Sequence, residues 1–311
     1  MKIPTIALVS LLLSAGAASA QQAIDRTMPA SATGTVTVNN VAGRVKVVAW
    51  NRPEIRVTGT LGRGAERLDV TGGGDNTEIR VVVPRNTRDL QGTDLEVHVP
   101  VRKSVSVQTV SADIEVGGVT GAVNARSTSG DVEVSGNTAA TEVHTVSGNA
   151  RVSGSAREKI TAETVSGDVT VEAPTQDLAV KSVSGDLRIR GGARRASVST
   201  VSGSADVQGG TLQYGSFQSV SGDLHYEGAL ASDAAVEMQS HSGDVEIALP
   251  ANVRARFQVS TFSGDIDNGL GSAEAQRTSR YTPGRELSFS TGEGGLVTVK
   301  TFSGSVKLER R

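Results

Sequence analysis

The chain has 311 residues, with 31 Lys and Arg against 33 Asp and Glu, 36 Gly, no Cys, and only five Phe, three Tyr and one Trp. Near-neutrality leaves no electrostatic footprint for nucleic acid or an anionic membrane surface. The absence of Cys excludes both a disulfide framework and a lipoprotein anchor, and abundant Val, Thr and Gly with few aromatics favour short strands joined by tight turns.

The first 20 residues, MKIPTIALVSLLLSAGAASA, place one Lys before an apolar run from Ile6 to Leu13 and end in Ala18-Ser19-Ala20. A short apolar run followed by small residues predicts a cleaved secretory signal peptide rather than a membrane span. The mature chain is expected to begin near Gln21 and to work outside the cytoplasm, in the periplasm or at the cell surface. No later stretch is long and apolar enough for a transmembrane helix. Residues 21–100 read as strand-rich but irregularly spaced, with loops at GRGAER and GGGDN, and are assigned as an N-terminal cap continuous with the repetitive remainder of the chain.

From residue 101 to 311 one phrase recurs. Its glycines fall at 130, 148, 167, 185, 203, 222, 243, 264 and 304, with Ala112 in the first copy; the steps are 18 to 21 residues, then a gap of 40. That gap divides at Pro283-Gly284, which reads as a degenerate eleventh corner. Two and four residues after each corner stand apolar pairs such as Val132/Val134, Val169/Val171, Leu187/Ile189 and Val245/Ile247, with Ile266/Asn268 the imperfect one. Seven and five residues before it stand others, such as Val105/Val107, Ile160/Ala162 and Phe257/Val259. Period-two alternation on both sides of a turn describes strand, corner, strand, turn. Eighteen residues are too few for a strand-helix-strand unit. The prediction is an all-β fold, a single-stack β-solenoid of ten to eleven coils, with at most single helical turns at SAREKI (155–160) and SAEAQR (272–277).

The corner has its own chemistry. Ser or Thr stands three residues before every corner (Thr109, Ser127, Thr145, Thr164, Ser182, Thr200, Ser219, Ser240, Thr261, Thr301), and Ser one residue before. Stacked hydroxyls there would bond along the column and to the corner backbone, while Gly supplies a positive φ. The following Asp or Asn (Asp131, Asn149, Asp168, Asp186, Asp223, Asp244, Asp265) is expected to cap the turn. Two residues before the corner lies an apolar column: Val110, Val146, Val165, Val183, Val201, Val220, Phe262 and Phe302, with His241 in one copy. Long exposed apolar stripes are uncommon, so a phase break turning this column inward is expected. Pointing outward, it would be the best candidate for a docking surface.

Catalytic and metal-binding signals are sparse. His98, His144, His225 and His241 are scattered without ligand spacing. His225 lies two residues after Asp223, a spacing that could form a charge pair. DIDNGLGSAEAQ (265–276) echoes a calcium loop but lacks acidic ligands at its fifth and twelfth positions. No phosphate loop, dinucleotide fingerprint or nucleophile elbow occurs. The outward column at +3 (Glu115, Glu133, Arg151, Thr170, Arg188, Asp206, His225, Glu246, Asp267, Lys307) mixes signs and reads as a solvated wall whose charges compensate. No catalytic, cofactor or metal residues are assigned.

The segments VNNVAGRVKVVAWNRPEIRV (38–57) and LEVHVP (95–100), the leading peptide and the SGD corners resemble a bacterial exported adhesin-like family with β-strand repeats, a domain of unknown function. The resemblance covers essentially the mature chain and implies a repetitive β-fold at the cell envelope, with no catalytic residues to carry over. The expected function is a non-enzymatic rod for adhesion or scaffolding, with an envelope glycan or protein as partner and no nucleic acid. The alternatives are a parallel β-helix polysaccharide lyase or hydrolase, with a groove near Asp244 and Asp265, and a filament self-associating end to end.

Overall fold

The computed structural model describes residues 22–311 except 86, 88 and 280–282; the signal peptide assigned to residues 1–20 lies outside the described residues. The described chain is all strand, turn and loop, and holds no helix long and apolar enough to cross a membrane. SAREKI lies inside the strand Ala150–Glu163, and SAEAQR runs from loop into the edge strand Gln276–Arg277, so neither forms the expected helical turn. Lys159 and Ile160 pair with the strands on either side, and that ladder overrides a weak local propensity.

Successive repeats stack in parallel and in register. Before the corner, Val180 lies between Ala162 and Val198; after it, Ile189 lies between Val171 and Val207. Two parallel ladders therefore run along the stack at about 4.8 Å per step. The predicted apolar pairs fill the space between them: Val105, Val107, Ile160, Ala162, Val169, Val171, Leu187, Ile189, Val245 and Ile247 are all buried. Ile266 and Asn268 are only half-buried because they sit in the outermost coil at the C-terminal end. Tyr226, the largest fully buried side chain, donates its hydroxyl to the Ala229 carbonyl at 2.9 Å. The 21-residue repeat ending at Gly243 accommodates its extra residues as a bulge: Leu212 pairs with Leu230 but Tyr214 with Ala235.

The ends depart from chain order. Thr35–Trp50 is itself a coil, with Gly43 opposite Ala112 and Val45 opposite Ile114, but its other edge carries Glu78, Ile79 and the strand Thr93–Pro100. The first coil of the sequence is thus second in the stack. At the other end, the strands Gly295–Ser303 and Val306–Arg310 insert between the coil of Gly243 and that of Gly264. An antiparallel strand then covers each outermost coil: Glu54–Leu61 on Thr93–Pro100, and Arg285–Ser290 on Ala255–Ser263. Antiparallel covers stop a further parallel strand from adding to an open edge. The expected eleventh corner at Pro283-Gly284 is therefore overturned, because that segment leads into the antiparallel strand rather than into another coil.

Candidate functional site: the corner edge

The corner is where two coils come closest. A Cβ built on Gly130, Gly148 or Gly167 would stand 2.1 to 2.2 Å from the carbonyl oxygen of the preceding corner, and on Gly203, Gly222 or Gly243 2.1 to 2.3 Å. Positive φ is not the common cause: it occurs from Gly185 onward but not at Gly130, Gly148 or Gly167. Close backbone approach is what every corner glycine shares. Ala112 is tolerated because Ser104–Gly117 passes its corner as one strand, paired residue by residue with the first coil.

The Asp column forms a ladder across coils rather than capping its own turns. Oδ1 of Asp113, Asp131, Asp168 and Asp186 accepts the backbone N–H of Asp131, Asn149, Asp186 and Ser204 at 2.8 to 3.1 Å. Asn149 does the same for Asp168 at 3.0 Å, Asp223 for Asp244 at 2.9 Å, and Asp244 for Ser305 at 2.7 Å. One carboxylate oxygen at each of these Asp residues is thereby committed to backbone.

The hydroxyl column is buried throughout, and the expected bonding to the corner backbone is found at only part of it. Thr109 donates to the Ala112 carbonyl at 2.9 Å, Thr145 to Gly130 at 3.2 Å, Thr164 to Gly148 at 3.3 Å and Thr261 to Gly304 at 3.0 Å. Ser182, Thr200, Ser219, Ser240 and Thr301, five successive coils, have no hydrogen-bond partner in the protein among the described residues. The run begins where φ turns positive, at Gly185, but Thr261 keeps its bond although Gly264 also has positive φ.

The apolar column contradicts the expected inward turn. Val110, Val146, Val165, Val183, Val201, Val220, Phe302 and Phe262 are 43 to 50% exposed, and Thr128 and His241 complete the row. Alternation from the buried strand before the corner persists up to the corner, so position −3 goes in and position −2 stays out. At its C-terminal end the row becomes an aromatic stack: His241 on Phe302 with centroids 5.0 Å apart and planes 8° apart, and Phe302 on Phe262 at 4.9 Å and 7°. A groove of about 470 Å³ runs beside this end, lined in part by Val201, Val220, His241 and Phe302, with Gln218, Gln239 and Lys300 on its polar side.

The remaining candidates do not converge. His144 lies between Glu142 at 2.7 Å and Glu163 at 3.2 Å, and this contact with Glu142, more than Arg126, holds the Glu142 carboxyl below its ordinary range. His225 pairs with Glu246 at 3.3 Å rather than with Asp223, and Lys307 of the next coil also reaches Glu246 at 3.3 Å. The +3 wall thus compensates its charges coil by coil. In the segment 265–276, Asn268 bonds to the Ala273 carbonyl and Asp265 pairs with Arg285 at 2.8 Å. Asp244 and Asp265 lie on the corner edge; the recess beside the long turn at 251–254 is lined by Arg254 and Arg310 without a carboxylate.

Two features escaped the sequence. Gly43 is a full corner, with Val36/Val38 before it, Val45/Val47 after it and Asn40 in the hydroxyl position; the pattern is visible once looked for 69 residues upstream of Ala112. Lys103 is completely buried and donates from Nζ to the Gly74 and Asp75 carbonyls at 2.7 and 2.8 Å, with burial pushing its pKa down. No sequence signal distinguishes it from a surface lysine.

Comparison with known proteins agrees with this architecture. The family model described as Toastrack DUF4097 matches twice, over residues 27–177 and 172–309. Among solved structures, one from Parabacteroides distasonis described as a "putative adhesin" is similar over 73% of this chain and 98% of its own, at 14% identity and TM-score 0.50. Structures of the same description from Bacteroides fragilis (11% identity, 92% and 97% covered, TM-score 0.41) and Parabacteroides merdae (9%, 92% and 96%, 0.45) are more distant. At these identities the likeness is one of fold. No curated protein matches the sequence.

Proposed function

The chain belongs to the Toastrack DUF4097 family, and on that premise we propose that it is a non-enzymatic, exported envelope protein, a β-solenoid rod that docks through its corner edge. The observation that carries this reading is the exposed column from Val110 to Phe262, apolar at eight of its ten positions. A soluble chain with nothing to bind there would gain by polar residues at these positions, as Thr128 shows one coil can take. Covering the six valines and two phenylalanines, each about half exposed, would contribute roughly 6–12 kcal/mol, against an association cost of about 4–15 kcal/mol. Only a partner that follows most of the row can therefore bind. The engagement of the Asp column with backbone supports a structural rather than catalytic role for it, and the leading peptide supports export.

The reading is tested by tagging the protein after Arg311 and measuring its binding to envelopes isolated from cells that make it. Replacing Val165, Val183 and Val201 together by Lys should weaken binding by at least about tenfold, since each Lys places a charge where desolvated apolar contact is required. Equal binding by the folded triple variant would remove the edge from the function.

A further inference from the structure

The two flanks of the exposed row differ in charge: one is acidic, and the other balances its cations with carboxylates. On the +1 side stand Asp113, Asp131, Asp168, Asp186, Asp223, Asp244 and Asp265, with no basic residue in the column. On the −4 side stand Arg126, Lys181 and Lys300, with Glu163 the one carboxylate of the column; each cation is shared with a carboxylate of its own face, Arg126 with Glu142 at 3.1 Å, Lys181 with Glu163 at 3.7 Å and Lys300 with Glu237 at 3.8 Å. We propose that the partner of the corner edge is a second copy of this chain, packed row against row with the two stacks parallel.

Symmetry selects that orientation. For two identical rows to face each other, the twofold axis lies in the contact plane, either across the rows or along them. An axis across them makes the stacks antiparallel and sets each acidic flank against the other acidic flank. An axis along them keeps the stacks parallel and sets the acidic flank against the balanced one that carries the cations. Coil by coil, Asp131 of one copy then faces Arg126 of the other, and Asp186 faces Lys181; Ser305 faces Lys300, with Asp244 and Asp265 one step away on either side, and in the Gly167 coil Asp168 faces Glu163, whose charge Lys181 shares.

Spacing points the same way. The row advances by the parallel-strand repeat of about 4.8 Å, and a second copy reproduces that repeat along its whole length. Ten positions span about 43 Å, and with the flanks a width of about 15 Å gives a contact near 650 Å² per copy. That is somewhat below the ~800 Å² per partner of a standard stable interface. The pair is therefore reversible, with a dissociation constant on the order of 1–100 µM. This inference rests on the docking reading and gives it a homophilic form, with both chains' ends lying on the same side.

Sedimentation of the wild-type chain from about 1 to 300 µM should show a monomer–dimer equilibrium, weakened on the order of 100-fold by Val183→Lys with Val201→Lys, at unchanged far-ultraviolet circular dichroism. Orientation is read by cross-linking, which the Cys-free chain permits. Val110→Cys and Phe262→Cys, at opposite ends of the row, should each form disulfide-linked homodimers, and a mixture of the two should give no cross-linked heterodimer. Heterodimers without homodimers would establish antiparallel pairing and overturn the proposal. A wild-type chain that stays monomeric throughout would also overturn it, while loss of envelope binding in the triple Lys variant would leave the docking reading standing.

Discussion

Substituting the corner glycine Gly222 by Ala separates two reasons for glycine that usually act together. Gly222 has φ +151°, and an added Cβ would stand 2.1 Å from the Gly203 carbonyl oxygen. Gly73 has the same φ of +151° but nothing within 4 Å of an added Cβ. Gly130 has no positive φ, yet its Cβ would meet the Ala112 carbonyl oxygen at 2.2 Å. At Gly222 the coils of Gly203 and Gly222 must part by about 1 Å, breaking the Gly203 N–H bond to Ser221 (3.2 Å) and the Ala205 N–H bond to Asp223 (2.9 Å). Two hydrogen bonds at ~1 kcal/mol each, with ~1 kcal/mol of backbone strain, give about 3 kcal/mol.

The same reasoning assigns about 1 kcal/mol to Gly73→Ala and about 2–3 kcal/mol to Gly130→Ala. At roughly 2–4 °C per kcal/mol for a chain of this size, Tm should fall by about 6–12 °C, 2–4 °C and 4–12 °C respectively, followed by circular dichroism. A Gly73→Ala loss as large as that of Gly222→Ala, with Gly130→Ala neutral, would refute close approach as the cause and restore backbone conformation as the reason for the repeated glycine.

The Asp ladder makes a chemical prediction. Asp186→Asn should be nearly neutral, because Asn149 already serves as a rung, whereas Asp186→Ala should cost about 1 kcal/mol in urea unfolding. Lys103→Met should cost about 2 kcal/mol by leaving the Gly74 and Asp75 carbonyls without their donor. Because burial lowers the Lys103 pKa, the folded state releases that proton first. The Lys103 contribution therefore raises stability with pH between the depressed value and the ordinary one near ~10.4, and Lys103→Met should lose that rise. Glu142 has a depressed pKa, so its contribution is present above the ordinary carboxylate range and lost as pH falls through the depressed value. Glu142→Gln should therefore cost about 0.5 kcal/mol at neutral pH, and the difference should vanish in acid.

The coil itself was legible because buried positions on both sides of the corner alternate with period two, and eighteen residues admit little else. Stacking order was not. A period states that Gly304 is another corner, but nothing local states that its coil slips between those of Gly243 and Gly264. That choice is made by strand edges tens of residues away. Facing at position −2 was misjudged because Val and Phe were weighed as side chains in need of burial, whereas the unbroken alternation from Val180 through Ser182 to Val183 fixes their direction. Lys103 was invisible because its burial depends on a distant Gly-Asp backbone. Gly43 was visible but too far from its fellows to be counted with them.

The outward facing of the −2 column is tested most directly by thiol reactivity in the Cys-free chain, measured near 1 µM to keep copies apart. Single cysteines at Val146, Val183 and Val220 are compared with cysteines at Val143, Val180 and Phe217, three residues earlier in the same coils and buried. The first set should react within about tenfold of the unfolded rate, and the second should be slowed by at least about 1,000-fold. Equal protection of the cysteines at 183 and 180 would place the column in the core and leave the corner edge with nothing to dock.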